Sequence, residues 1–141
     1  MQCACTRARG GDFNFTIMSE SSTRQPELRK ITTDVADHYV WGGLCDGWHL
    51  VRTPGLSVIS ERMPAGTSEV AHRHARAQQF FFVLSGELVM ESAGTRQVLR
   101  AREGVHVPPQ TVHQALNLSD APVEFLVISE PHSHGDRIGA D

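Results

Sequence analysis

From about Leu28 onward, hydrophobic positions fall in short runs that alternate with polar ones. The runs are WHLVR (48–52), LSVISERM (56–63), SEVAHRH (68–74), QFFFVLS (79–85), ELVMES (87–92), TRQVLRA (95–101), GVHVP (104–108), TVHQALN (111–117) and VEFLVISE (123–130). Period-two alternation rich in β-branched and aromatic residues predicts strands. The separators TPG, PAG, SG, SAG, REG and SDAP are turn formers. Ser85-Gly86 and Ala93-Gly94 read as hairpin turns. No long helical period interrupts these runs, so α/β folds are disfavoured. A weak spacing over 26–35 predicts at most one short helix. The pattern predicts an all-β sandwich or barrel, a single domain over residues 28–141. Residues 1–27 read as a flexible N-terminal tail: Ser19 to Glu27 is polar, and no apolar run sits between the early arginines and a cleavage site, as a secretory signal would need. Met18 is a candidate start.

Composition narrows the class. A chain of 141 residues suits one domain. The formal net charge is −3, which argues against a nucleic-acid binder. No apolar run approaches the roughly 18 residues of a membrane span. Three cysteines do not make a disulfide framework, so a reducing, cytoplasmic location is expected. Cys3-x-Cys5 lacks zinc-site spacing. Cys45 has only Asp46 beside it, whose charge opposes a thiolate. The unusual count is histidine, at 8, concentrated between His72 and His134.

His72 and His74 are one residue apart and on a strand share a face, which makes a ready start for a metal site. Gly66 precedes them; Gln79 and Gly86 follow. Downstream, Pro108 leads to His113 and Asn117. These segments resemble the two motifs of the cupin superfamily. The first, G-x5-H-x-H-x3–4-E-x6-G, is matched by Gly66, His72, His74, Gln79 and Gly86, with Gln79 where the family usually has Glu. The second, G-x5-P-x-G-x2-H-x3-N, is matched by Pro108, His113 and Asn117, with Arg102 and Gln110 in place of the glycines. The resemblance covers roughly 66–117 by motif and 38–130 by strand pattern. It implies a small, RmlC-like jelly-roll barrel, a homodimer, and one divalent metal ion held inside by His72, His74, Gln79 and His113.

The residues themselves are compatible with that implication. Alternation puts Gln79, Phe81 and Val83 on one face. With four neutral ligands a divalent ion keeps about +2 instead of about +1, which strengthens binding of an anionic oxygen and weakens the hold on the metal. Fe, Mn, Ni, Zn and Cu all match such donors. The resemblance implies an enzyme acting on a small oxygenated molecule, of dioxygenase or isomerase type; the alternative is a non-catalytic barrel that binds or senses a small molecule. Phe81 is a candidate substrate-pocket wall. His106 is another, provided that it faces the lumen in place of Val105 and Val107. Glu87 and Glu91 are expected to face solvent, which leaves no obvious general base. Tyr39, Trp41 and Trp48 cover a barrel end or dimer seam, or pack in the core. His132-Ser133-His134 is expected in a surface tail; a segment folded over the barrel mouth, with Asp136 paired to Arg137, and a second metal site are the alternatives.

Overall fold

A computed structural model describes residues 25–140, so the expectations for Cys3, Cys5 and Met18, and for most of the 1–27 segment, fall outside the described residues. Eleven strands follow in order: β1 (Asp37–Trp41), β2 (Cys45–Arg52), β3 (Ser57–Met63), β4 (His72–His74), β5 (Gln78–Ser85), β6 (Glu87–Ser92), β7 (Thr95–Arg100), β8 (Gly104–Val107), β9 (Gln114–Leu116), β10 (Val123–Glu130) and β11 (Arg137–Gly139). One layer is the antiparallel sheet β1-β2-β3-β10-β5-β8. The other is built from β7-β6-β9 and β4-β11, joined by the isolated bridges Ser68↔Leu116 and His72↔His113. This is the predicted all-β jelly roll, with no helix among the described residues.

Alternation sets the core. In β10, Val123, Phe125, Val127 and Ser129 point inward and are buried, while Glu124 and Glu130 are exposed. Phe125 pairs with Glu61 on one side and Val83 on the other; Val127 pairs with Ile59 and Phe81. Phe125, Met63, Leu88, Val83 and Val123 are fully buried, and each removes apolar surface from water at a gain of about 1.5–3 kcal/mol. Because the inward face of the large sheet is one continuous row of registers, a polar residue in that row has to face the interior.

Three expectations are corrected. Ser85-Gly86 is not a hairpin turn: β5 pairs with β10 and β8, and β6 with β7 and β9, so the chain crosses between sheets there. Ala93-Gly94 is one, closing Ser92↔Thr95 with both residues at positive φ. No helix forms over 26–35. Leu28 and Val35 are exposed at 99% and 68%, so a helix there has no apolar surface to bury, and a single turn at Thr32 remains. The C-terminal segment is not a surface tail: β11 pairs with β4, Arg137↔His74 and Gly139↔His72.

The two departures from the second motif keep the backbone that glycine would take. Arg102 and Gln110 have φ of 72° and 65°, a left-handed conformation costing an L side chain about 1–2 kcal/mol. Gln110 offsets this with bonds from its backbone N–H to His74 O and from Nε2 to Ala75 O, both 2.8 Å. The exposed Arg102 side chain makes no hydrogen bond or ion pair among the described residues. At Gly86 (φ +80°) an added Cβ would lie 2.5 Å from the Pro122 carbonyl oxygen. Arg102→Gly should therefore raise stability by about 0.5–1 kcal/mol, and Gly86→Ala should lower it by about 2 kcal/mol or more. Urea denaturation of the two variants beside the parent checks both signs.

Candidate metal centre

The short β4 places His72 and His74 inward with Arg73 turned out. The backbone bridge to His113 is reciprocal: His72 N–H donates to His113 O at 3.0 Å and His113 N–H to His72 O at 2.9 Å. Three imidazoles thus meet at 2%, 6% and 1% exposure for His72, His74 and His113, with one ligand atom of each within 4.8 Å of the others. His72 Nδ1 lies 3.0 Å from Val70 O and His113 Nδ1 2.9 Å from Thr111 O. A carbonyl only accepts, so both Nδ1 atoms carry the proton and both Nε2 atoms present lone pairs to the interior.

Gln79, on β5, lines the same chamber as His72 and His74. Its partner in the register is Ser129, and Nε2 donates to Ser129 Oγ at 3.2 Å. That leaves Oε1 buried with no hydrogen bond, as are His113 Nε2 and His74 Nδ1. A buried acceptor without a partner costs roughly 1–3 kcal/mol. The Nε2 atoms of His72 and His74 stand 3.2 Å apart. Two nitrogens bound to one ion at about 2.0–2.1 Å, with an angle between about 90° and 109°, stand about 2.9–3.4 Å apart. The unpartnered lone pairs of Gln79 Oε1 and His113 Nε2 and this spacing fit a bound divalent transition ion. Burial holds the His72 imidazole down to about 3 and that of His74 to about 4, and it lowers His113 in the same direction. All three are neutral at pH 7, as ligation requires.

Beside these residues lies a chamber of about 250 Å³, the space of about eight waters at roughly 30 Å³ each. His72, His74, Gln79 and Phe81 form its inner end. Phe81, expected as a wall, is one, and its ring meets His113 edge-on at 5.8 Å. His113 is buried within the cluster without lining the chamber. His106 lies elsewhere: Val107 takes the inward position, and His106 is exposed on the outer face beside Gln78 Oε1 at 2.9 Å. Tyr39, Trp41, Ser133, His134 and Arg137 also line the chamber. The C-terminal segment is fixed there by Asp136, which accepts from Arg76 N–H (2.9 Å) and Ala77 N–H (2.8 Å) and has its carboxyl held low, chiefly by the Ala77 bond. Asp136 therefore pairs with Arg76, and Arg137 reaches Val70 O and Glu69 instead.

Two acidic wall residues escaped the sequence reading. Glu61 and Glu69 both line the chamber, whereas Glu87 and Glu91 pair on the sheet surface with Arg100 and Arg96. The signal was present for Glu61, which shares the parity of Ile59 and Met63, the core-facing set of β3. Glu69 precedes a strand too short to carry a parity signal. It stands 3.7 Å from His72 Nδ1 and 3.9 Å from Arg137. Burial, then the charge of Glu69, push the Glu61 carboxyl up to about 8; burial pushes Glu69 up to about 7, against Arg137 and the Ala115 N–H.

Known proteins agree with this architecture. A family profile described as the cupin domain matches residues 59–129, and the chain belongs to that family. An uncharacterised protein of Methanocaldococcus jannaschii is 25% identical over 81 residues, covering 57% of this chain and 65% of that protein. Among solved structures, KdgF from a Halomonas species superposes with a TM-score of 0.66 at 21% identity, over 72% of this chain and 93% of that one. An RmlC-like cupin from Shewanella frigidimarina gives 0.67 at 21%, over 74% and 91%. The polyketide cyclase RemF of Streptomyces resistomycificus gives 0.71 at 11%, over 82% and 87%. At these identities the likeness is one of fold.

The folded state keeps a proton on Glu61 that the unfolded chain releases near pH 4.5. That contribution to stability is full below pH 4.5 and is lost as the pH rises through about 8. Glu61→Gln, which mimics the protonated acid, should match the parent near pH 4, become progressively more stable than it as the pH rises from about 5 to 8, and keep a constant margin above that. Denaturation midpoints of chelator-treated protein across that range measure the divergence.

Proposed function

We propose that this cupin is a metal-dependent enzyme acting on a small, oxygen-rich and anionic organic molecule. The observation that carries the reading is the set of inward-facing, unpartnered donors, His113 Nε2 and Gln79 Oε1, beside the closely spaced Nε2 atoms of His72 and His74. His72, His74, Gln79 and His113 would hold one divalent ion. When bound, it supplies Lewis acidity toward a substrate oxygen. The chain's own residues do the rest. Val70 O and Thr111 O hold two imidazoles in the ligating tautomer. Ser129 aims the Gln79 amide. Phe81, Ile59 and Val127 make an apolar inner wall that excludes water, while Arg137 provides the one Lys or Arg among the described lining residues. Four neutral ligands leave the ion's charge undiminished, so an anion is favoured over a neutral analogue.

Metal content separates this reading from a bare binding barrel. Untagged protein should carry about one transition ion per chain by elemental analysis, and His113→Ala should carry none. Loading at 100 times the dissociation constant should stabilise the parent by about 2.7 kcal/mol, and the gain should vanish in the variant. Gln79→Glu should bind the ion more tightly and hold a small carboxylate less tightly, because the new ligand cancels one unit of charge. A protein that neither retains nor is stabilised by Mn, Fe, Ni, Cu or Zn refutes the reading. Ligand binding by the metal-loaded form without turnover would instead support the sensing alternative.

A cytoplasmic homodimer belongs to the same proposal. The outer face of the large sheet carries Phe80, 38% exposed, and Leu84, 45% exposed, with the partly exposed Phe82 and Leu126 paired beside them. A second copy of this face is the proposed cover. Sedimentation of the parent should give twice the monomer mass, and Phe80→Glu should give the monomer.

A further inference from the structure

Three inward positions lie side by side across the first strands: Tyr39 on β1 pairs with Gly47 on β2, and Gly47 with Glu61 on β3. The middle residue has to be glycine for the outer two to meet. A Cβ on Gly47 would stand 2.3 Å from the Tyr39 ring carbon that bears the hydroxyl. The phenol therefore lies across β2, through the notch that glycine leaves, and its hydroxyl donates to Glu61 Oε1 at 3.1 Å. Burial raises the Tyr39 phenol further above its ordinary range, so it stays a neutral donor. Glu61 Oε2 has no hydrogen-bond partner among the described residues and belongs to a side chain that lines the chamber. The charged or titratable groups facing it are Tyr39 from β1, the buried Cys45 thiol from β2, Glu69 ahead of β4, and Arg137 from β11. The acid is thus held by one oxygen and offered by the other, in the space that the metal centre closes at its inner end.

We propose that Glu61 is the proton-transferring catalytic residue of this chamber, acting on a small carbon acid that bears a carboxylate, and that Tyr39 is its positioning residue. This rests on the metal-centre reading above. The carboxylate form of Glu61 takes a proton from the carbon next to the substrate's carbonyl group. The C–H electron pair stays with the substrate as an enolate, and Glu61 becomes the acid. Returning that proton to the same carbon restores the substrate; returning it to a different atom of the delocalised system completes an isomerisation. No oxidant and no further reactant enters. A carboxyl that changes state near the working pH suits both directions, because such a group is a competent acid and a competent base at once. Arg137 in the lining gives the substrate carboxylate a partner, and a chamber of about 250 Å³ suits a small molecule.

The test uses the full chain loaded with Zn(II), and 2-oxobutyrate in D2O as the probe. Proton NMR follows exchange of the hydrogens beside the ketone. Difference infrared spectroscopy of the same protein, with and without zinc, follows the carbonyl stretch of a protonated carboxyl. The parent should exchange the probe, and Glu61→Gln should slow exchange by about 100-fold or more, with zinc content and calorimetric probe affinity unchanged. The parent should show a protonated-carboxyl band that fades as the pH is raised, and Glu61→Gln should lack it. Tyr39→Phe should keep the band but move its midpoint, and that of the exchange rate, to higher pH, because the lost bond favoured the ionised form. A purely structural role for Tyr39 would lower the amplitude and leave both midpoints in place. Zinc-loaded parent that shows no band, or exchanges no faster than Glu61→Gln, overturns the proposal with the metal reading intact. Failure to take up zinc overturns the metal reading first, and is seen separately in the metal content.

Discussion

The reciprocal backbone bridge between His72 and His113 is the seam on which the centre depends. Each of these residues uses its main chain to bind the other, and its Nδ1–H to bind the carbonyl two residues earlier. The protonated nitrogens of His72 and His113 are thereby engaged, and the Nε2 lone pairs of these two rings are left facing the interior. Other polar contacts brace the same seam. Gln110 ties down the end of β4 through His74 O and Ala75 O. Asp136 gathers the next two N–H groups, of Arg76 and Ala77. Asn117, fully buried, donates to Met63 O, Pro64 O and Ala121 O. Its place in the second motif is therefore explained by turn geometry, without reference to chemistry at the metal.

Charge is distributed around the chamber in an unusual order. Where the cupin motif usually has Glu, this chain has Gln79, whose amide is oriented by Ser129. Carboxyls are nonetheless present nearby. Glu69 stands against the outward nitrogen of His72 and against Arg137, and Glu61 lies under the Tyr39 hydroxyl. Neither belongs to the compact cluster of potential ligand atoms. The negative charge near the candidate metal centre thus sits on the chamber wall, where a proton can neutralise it. A carboxyl fixed to an ion is committed as a ligand, whereas one on the wall is free to give and take a proton.

Much of this was legible in the sequence. Alternation in residues 79–85 put Gln79, Phe81 and Val83 on one face, and that face is the buried one, because a period of two admits no other register. The spacing from Gly66 to Asn117 pointed to the four proposed ligands. His106 was not settled, since a four-residue strand flanked by two valines reads either way until its neighbour Phe80 is seen to face outward. Ser85-Gly86 looked like a hairpin because a turn residue reports only a local bend. Whether the chain then pairs with itself or crosses to another sheet is decided by contacts far away in sequence. The β4–β11 pairing lay beyond reach for the same reason: three residues, RIG, carry no periodicity, and their partner is more than sixty positions away.

The origin of each wall limits what kinship can tell about the substrate. All four proposed metal ligands, and both acidic wall residues, lie within the stretch 59–129 that matches the cupin domain. Tyr39 and Trp41 come from before it; Ser133, His134 and Arg137 come from after it. The matched stretch therefore brings the donors and the acids, and the flanking segments around β1 and β11 bring the rest of the polar and aromatic lining. A partner fold with a similar barrel but other flanks would keep the donor geometry and present a different lining. Selectivity for the bound molecule is then a property of segments whose lengths and sequences are free to vary, since they add to the edges of the sheets without entering the central rows of the core. Glu61 is the exception that ties the two together: it sits in the matched barrel, but the phenol that holds it arrives from the flank through the notch at Gly47.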